Sequence, residues 1–218
     1  MEGRDIMKIA LIGSTGNAGK VILKEALNRG HEVIAIARDV SKIKDTNENL
    51  TIMQGDILKL DTLEDKLGEV DVLVSAFGPK VGKEDTLIEA TNNLITLAKK
   101  LNVERLVTMG GAGSLKVQGD VELVHTEGFP EDWKPIALAH SKSLDIYRNE
   151  KEINWTYLSP AALISSGVRT GKYSLGDEYL IVDEKGESKI SFEDFAVAMI
   201  DEIETPKHIR SRFTVAYK

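Results

Sequence analysis

The 218-residue sequence contains no cysteine. That excludes disulfides, thiolate zinc sites, cysteine-held iron–sulfur clusters and a cysteine nucleophile, and it fits a reducing, cytoplasmic setting. No apolar run approaches the roughly 20 residues that a membrane helix needs. The first residues, Met1 to Ile6, lack the apolar stretch of a secretory signal. Positive charge is also in deficit: 28 Lys and Arg stand against 35 Asp and Glu, a formal net charge of −7. With no cationic excess to displace phosphate counterions, nonspecific nucleic-acid binding is not expected. The histidines, His31, His125, His140 and His208, show no ligand spacing, so no metal site is expected. Aromatic residues are only 6% of the chain. Loop candidates for stacking on a planar ligand are therefore few: Phe77, Phe129, Trp133 and Tyr173.

What remains is an ordinary globular composition, 42% hydrophobic and 29% charged, long enough to bury a substantial core. Residues 1–6 read as an irregular start. From Met7 onward, short apolar runs alternate with helical patterns. Ile9-Ala10-Leu11-Ile12 reads as a buried parallel strand ending at Gly13. Ala18, Val21, Ile22, Leu23, Ala26 and Leu27 then recur at helical spacing, with Gly30 placed to stop the helix. Further strands are predicted at Glu32–Ala37, Leu50–Gln54, Val70–Val74 and Arg105–Met109, with a short helix over Leu60–Leu67 and a longer one over Thr86–Leu101. After a loop over 110–133, a helix is expected from about Pro135 to Glu150, and strands at Thr156–Leu158, Tyr179–Val182 and Phe213–Tyr217. Ser191 with Glu193 and Asp194 marks one more helix start. This alternation predicts an α/β fold, a doubly wound parallel sheet with right-handed crossovers. The whole of 7–218 reads as one Rossmann domain, in which about 7–110 form the dinucleotide-binding core. Residues 111–218 then form a small C-terminal, substrate-side extension that also completes the sheet.

The strongest chemical signal is Gly13-Ser14-Thr15-Gly16-Asn17-Ala18-Gly19, between the first strand and first helix. Glycines allow a tight turn and close backbone approach to a pyrophosphate, which the free N–H groups of the helix N-terminus attract. Gly13, Thr15, Gly16, Asn17 and Gly19 are the expected contacts. Gly19-Lys20 imitates a P-loop ending, but Ser14 stands where that motif needs glycine and Val21 where it needs a hydroxyl. Arg38, ending the second strand, matches the 2′-phosphate of NADP, whereas an acid there would select NAD. Asp39 follows directly, and a solvated Arg–Asp pair is the competing reading. Asp56 and Ile57 end the third strand near the adenine edge, where Asp56 could equally cap a turn. Ala76, Phe77 and Gly78 follow the fourth strand as a cofactor wall.

These segments, with Thr108-Met109-Gly110-Gly111-Ala112-Gly113-Ser114, resemble the atypical short-chain dehydrogenase/reductase superfamily, and within it the NADH-flavin reductase-like branch, related to biliverdin reductase B and NmrA-like proteins. Arg169 to Tyr173, Lys189 to Ala196 and Phe213 to Tyr217 extend the resemblance over the chain after residue 6. It implies NADPH, with NADH possible, as the cofactor. Met109, Gly110, Pro160 and Ala161 would lie along it, Pro160 and Ala161 at the nicotinamide amide. A flavin would be a substrate and not a bound cofactor. Two departures matter. The superfamily's Tyr–x–x–x–Lys pair is broken, because Lys142 is preceded four residues earlier by Leu138. The usual serine after the fifth strand is replaced by Gly110-Gly111, leaving Ser114 as the nearest hydroxyl.

Carbonyl reduction and nucleotide-sugar chemistry are therefore disfavoured. Hydride transfer to a flavin or a similar small planar acceptor needs positioning more than acid–base groups. Lys142 is expected to hold the nicotinamide ribose, and Ser114 a ribose or substrate oxygen. His140 lies two residues before Lys142, about 200° around a helix, so the two are not expected to act together. The alternative is an NmrA-like redox sensor that binds dinucleotide and a protein partner without turnover.

Overall fold

The computed structural model describes residues 5–218. Residues 1–4 of the expected irregular start lie outside the described residues, and Asp5 and Ile6 have no regular structure. Ten strands follow in chain order: Lys8–Ile12 (β1), Glu32–Ala37 (β2), Leu50–Gln54 (β3), Val72–Ser75 (β4), Arg105–Met109 (β5), Asn154–Ser159 (β6), Leu163–Ser165 (β7), Ser174–Gly176 (β8), Lys189–Ser191 (β9) and Ser211–Ala216 (β10). Four α-helices, Asn17–Asn28 (α1), Thr86–Lys100 (α2), Lys134–Asn149 (α3) and Phe192–Glu204 (α4), pack around them. Eight strands form one sheet in the order β3-β2-β1-β4-β5-β6-β10-β8, while β7 and β9 pair separately. Every pairing in the large sheet is parallel except β8 with β10. The order reverses between β1 and β4, which opens the crevice where a doubly wound sheet takes its ligand.

The alternating side chains of β1 account for the two layers. Ile9 and Leu11 enter a core with Ile22 and Leu23 of α1 and Phe195 and Met199 of α4. Ala10 and Ile12 face the opposite core, with Leu94 and Leu97 of α2 and Leu144 and Tyr147 of α3. The expected cap at Ser191 is formed, its Oγ accepting from Asp194 N–H at 3.0 Å. Among the described residues no helix is long and apolar enough to cross a membrane.

Two predicted elements differ. Leu60–Thr62 is a single 3-10 turn, followed by turns in place of the expected helix to Leu67. Leu63 and Leu67 are buried in the core and Leu60 packs partly against it, but so short a segment does not offset the cost of helix nucleation. Tyr179–Val182 is not a strand, since only Tyr179 forms an isolated bridge, to Lys116. Ile181 alone of its large apolar side chains is buried, whereas Tyr179 and Val182 are exposed. The edge of the sheet is filled instead by β8, which pairs with the end of β10.

Candidate functional site

The C-terminal ends of β1 to β4 meet at the crevice. Gly13, Thr15, Gly16, Arg38, Asp56, Ile57, Ala76, Phe77 and Gly78 line one cleft of about 200 Å³ there, together with Lys42. Its floor is backbone. Gly13 has φ +81°, and a Cβ on it would lie 2.7 Å from Ala76 O. Gly19 is buried beneath the turn, where a Cβ would stand 2.0 Å from Gly13 O. Gly16 N–H donates to Gly13 O at 3.0 Å. The Ser14 hydroxyl, fully buried, donates to Ile36 O at 2.9 Å and ties the turn to β2. Gly16 caps α1 without any side-chain hydrogen bond, and no acid occupies the first turn. The helix therefore presents its N-terminal N–H groups and partial positive charge to the cleft. Asn17 begins α1 and is exposed, but it does not line the cleft.

Arg38 is held through its carbonyl, which accepts from Gln54 Nε2 at 3.1 Å. Its guanidinium pairs with no carboxylate among the described residues. The competing Arg38–Asp39 pair is not formed, because Asp39 caps the next turn. The Asp39 carboxylate accepts from Ser41 Oγ at 2.6 Å and Ser41 N–H at 3.1 Å, and these bonds hold its pKa below the usual carboxylate value. Lys59 and Lys66 join Arg38 around an adjoining hollow, so this end of the cleft has a cationic rim. Asp56 caps a turn and also lines the cleft. Its Oδ1 accepts from Leu58 N–H at 3.1 Å, and it remains in the cleft wall beside buried Ile57.

A second cavity, about 330 Å³, lies between the loop after β5, α3 and the residues after β6. Phe129, Trp133, Ile136, Ala137, His140, Ala162 and Leu163 give it a largely apolar wall around Gly111, Ala112 and Gly113. These glycines are there for space. A Cβ at Gly110 would sit 2.0 Å from the Tyr157 ring, at Gly111 2.8 Å from His140 Cβ, and at Gly113 2.7 Å from Ala137 Cβ. A serine side chain at position 110 or 111 has no room.

Ser114 and Lys142 are not brought together at either cavity. Ser114 is buried, its Oγ accepting from Arg212 Nη1 at 3.1 Å. Arg212 also pairs with Glu178. Burial raises the Glu178 pKa, but Arg212 and Arg148 outweigh that and hold its carboxyl below the ordinary value. Ser114 thus anchors a buried arginine on β10. Ser114→Ala is expected to cost about 1–3 kcal/mol, because it leaves a buried donor unpaired, while changing turnover less than twofold. Chemical denaturation beside a steady-state assay checks both. Lys142 is exposed on α3, and no ion pair holds its ammonium among the described residues. Met109, Gly110, Pro160 and Ala161 lie at the ends of β5 and β6, at the same sheet edge, without lining either cavity.

The side chain that does reach the second cavity is His140. Its Nδ1 is 3.2 Å from Tyr157 Oη, and Tyr157 Oη donates to His140 O at 3.0 Å. Burial lowers the His140 pKa from 6.5 to about 4 and raises that of Tyr157. The sequence signal for His140 was its spacing from Ala137, three residues apart on one helix face, and not its distance from Lys142. Because the folded state resists protonating this imidazole, stability is expected to be complete above pH 6.5 and to fall as pH drops from there towards 4. The slope attributable to one proton is at most about 1.4 kcal/mol per pH unit. Denaturation midpoints of His140→Phe should lack that component.

Residues 13–206 match the protein family described as NAD(P)H-binding. The chain belongs to this NAD(P)H-binding family. Among its relatives, Bacillus subtilis YwnB is 42% identical over 212 residues, 96% of this chain and 98% of that protein. A Bacteroides thetaiotaomicron structure bearing the name "putative epimerase" has 41% identity and a TM-score of 0.91, covering 98% of each chain. A Streptococcus pneumoniae structure bearing the name "putative NADH-flavin reductase" has 37% identity and a TM-score of 0.84, covering 97% of this chain and all of that one. The two solved structures share this chain's fold, while their names point to different chemistry. A nicotinamide dinucleotide fits the groups present in the cleft. The Gly13–Gly19 cradle excludes side chains where a pyrophosphate must approach, and the uncapped start of α1 offers it donors.

Proposed function

We propose that the protein is a cytoplasmic NADPH-dependent reductase acting on a flavin or similar small planar acceptor. The observation that carries this reading is an open apolar cavity, lined by no phenol, at the same sheet edge as a dinucleotide cleft. Overall, NADPH, one proton and the oxidised acceptor give NADP⁺ and the two-electron-reduced acceptor. The bound dinucleotide supplies the hydride. The Gly13–Gly19 turn fixes the pyrophosphate, and Arg38 and Lys42 neutralise the 2′-phosphate. Phe77 and Ala76 form the wall beside β4, and Lys142, which has no ion pair among the described residues, holds the nicotinamide ribose. Phe129, Trp133 and Ile136 exclude water from one face of the acceptor, whose proton comes from solvent.

An epimerase or alcohol dehydrogenase needs a side chain to move a hydroxyl proton. The nearby phenol, Tyr157, is buried and committed to His140. NADPH consumption with FMN, FAD, riboflavin and quinones tests the proposal. Rates well above those in free solution are expected with at least the flavins. Tight NADPH binding without consumption would favour a dinucleotide sensor acting through a protein partner.

A further inference from the structure

The hydrogen-bonding sense of His140 follows from its neighbours. The His140 carbonyl can only accept, so the single proton of Tyr157 Oη, 3.0 Å away, is directed to it. With that proton committed, Tyr157 Oη is left to accept from the imidazole, 3.2 Å away, in the tautomer that carries the ring proton on Nδ1. The ring is neutral, so Nε2 carries a lone pair, and no protein donor meets it among the described residues. The other polar side chains of the cavity do not change this sense. Thr126 donates its proton to Leu123 O at 2.7 Å, and Glu127 is an exposed carboxylate. Among the described lining residues, the indole N–H of Trp133 is the side-chain donor not already committed to a protein acceptor.

We propose that His140 is a specificity-determining residue whose Nε2 accepts a hydrogen bond from an N–H on the edge of a planar heterocycle. The cavity then selects acceptors bearing an imide or lactam N–H, such as the isoalloxazine ring, over quinones and N-alkylated rings of similar size. The inference rests on the reading that this cavity receives a planar acceptor. A site built to hydrogen-bond an N–H rejects the analogue that lacks it, because its own polar group is left unpaired.

The test compares binding of lumiflavin and its N3-methyl derivative to the full chain saturated with NADP⁺, followed by quenching of flavin fluorescence. The wild-type protein is expected to bind lumiflavin about tenfold more tightly than the methylated ring. His140→Ala should reduce that preference to within about twofold. His140→Gln, whose amide oxygen can accept near the position of Nε2, should restore part of it. Equal binding of the two flavins by the wild-type protein would overturn the inference, as would a preference that survives in His140→Ala. Because the readout is binding, the expected preference without NADPH oxidation would sustain the role of His140 while defeating the reductase reading.

Discussion

Gly19→Ala is expected to lower NADPH affinity at least about 100-fold, equivalent to roughly 2.8 kcal/mol, and to destabilise the fold. The added methyl would stand 2.0 Å from Gly13 O, 2.8 Å from Gly13 C and 3.0 Å from Ser14 Cα. All three are backbone atoms, so no change of rotamer relieves the clash. Gly13 cannot yield either, since it is itself held at φ +81° against the Ala76 peptide. The start of α1 must therefore move away from β1, which disrupts the packing of Ile22 and Leu23 as well as the phosphate cradle. Gly16 is the internal control, because a Cβ there meets only Gly13 O at 3.4 Å. Gly16→Ala should unfold within about 1 kcal/mol of wild type, whereas Gly19→Ala should fall well outside that range. Fluorescence titration with NADPH and urea denaturation distinguish the two variants.

Arg38→Ala is expected to weaken NADPH binding about 10- to 100-fold while leaving NADH within about twofold. The exposed guanidinium stands at the end of β2, where the adenosine ribose rests in this fold. Its main chain is pinned by Gln54, and its charge is uncompensated because Asp39 is occupied by Ser41. The contact is exposed, so the NADPH preference should shrink as ionic strength rises. Parallel titrations of both dinucleotides in both proteins give the answer. An equal loss for each would show that Arg38 supports the cleft without reading the 2′-phosphate.

The dinucleotide half of the fold was legible because its signals are local. Ile9 to Ile12 is apolar on both faces, as a strand between two helical layers must be. Gly13, Gly16 and Gly19 mark the turn that follows, and the predicted bounds of β2, β3 and β5 agree with those observed. The substrate half depends on contacts between distant residues. Ser114 looked like a site hydroxyl because its partner, Arg212, lies 98 positions away. Gly110-Gly111 read as a missing serine, whereas the structure shows them making room for Tyr157 and His140. Tyr179–Val182 has strand-like composition, yet three residues of β8 take the sheet edge. Local periodicity cannot decide which of two neighbouring segments wins a long-range pairing. His140 was passed over for a related reason: its helical face is defined by what packs on it, and not by its spacing from Lys142.

In the proposed reaction, hydride passes from the bound dinucleotide to a planar acceptor held at the neighbouring cavity. A single-turnover experiment tests it most directly. The full chain preloaded with one equivalent of NADPH is mixed anaerobically with excess riboflavin, and the nicotinamide and flavin absorption bands are followed together. Both bands are expected to decay with one rate constant, in equal molar amounts, and much faster than the protein-free mixture. Persistence of the NADPH band in a protein shown by titration to be saturated with dinucleotide would contradict it.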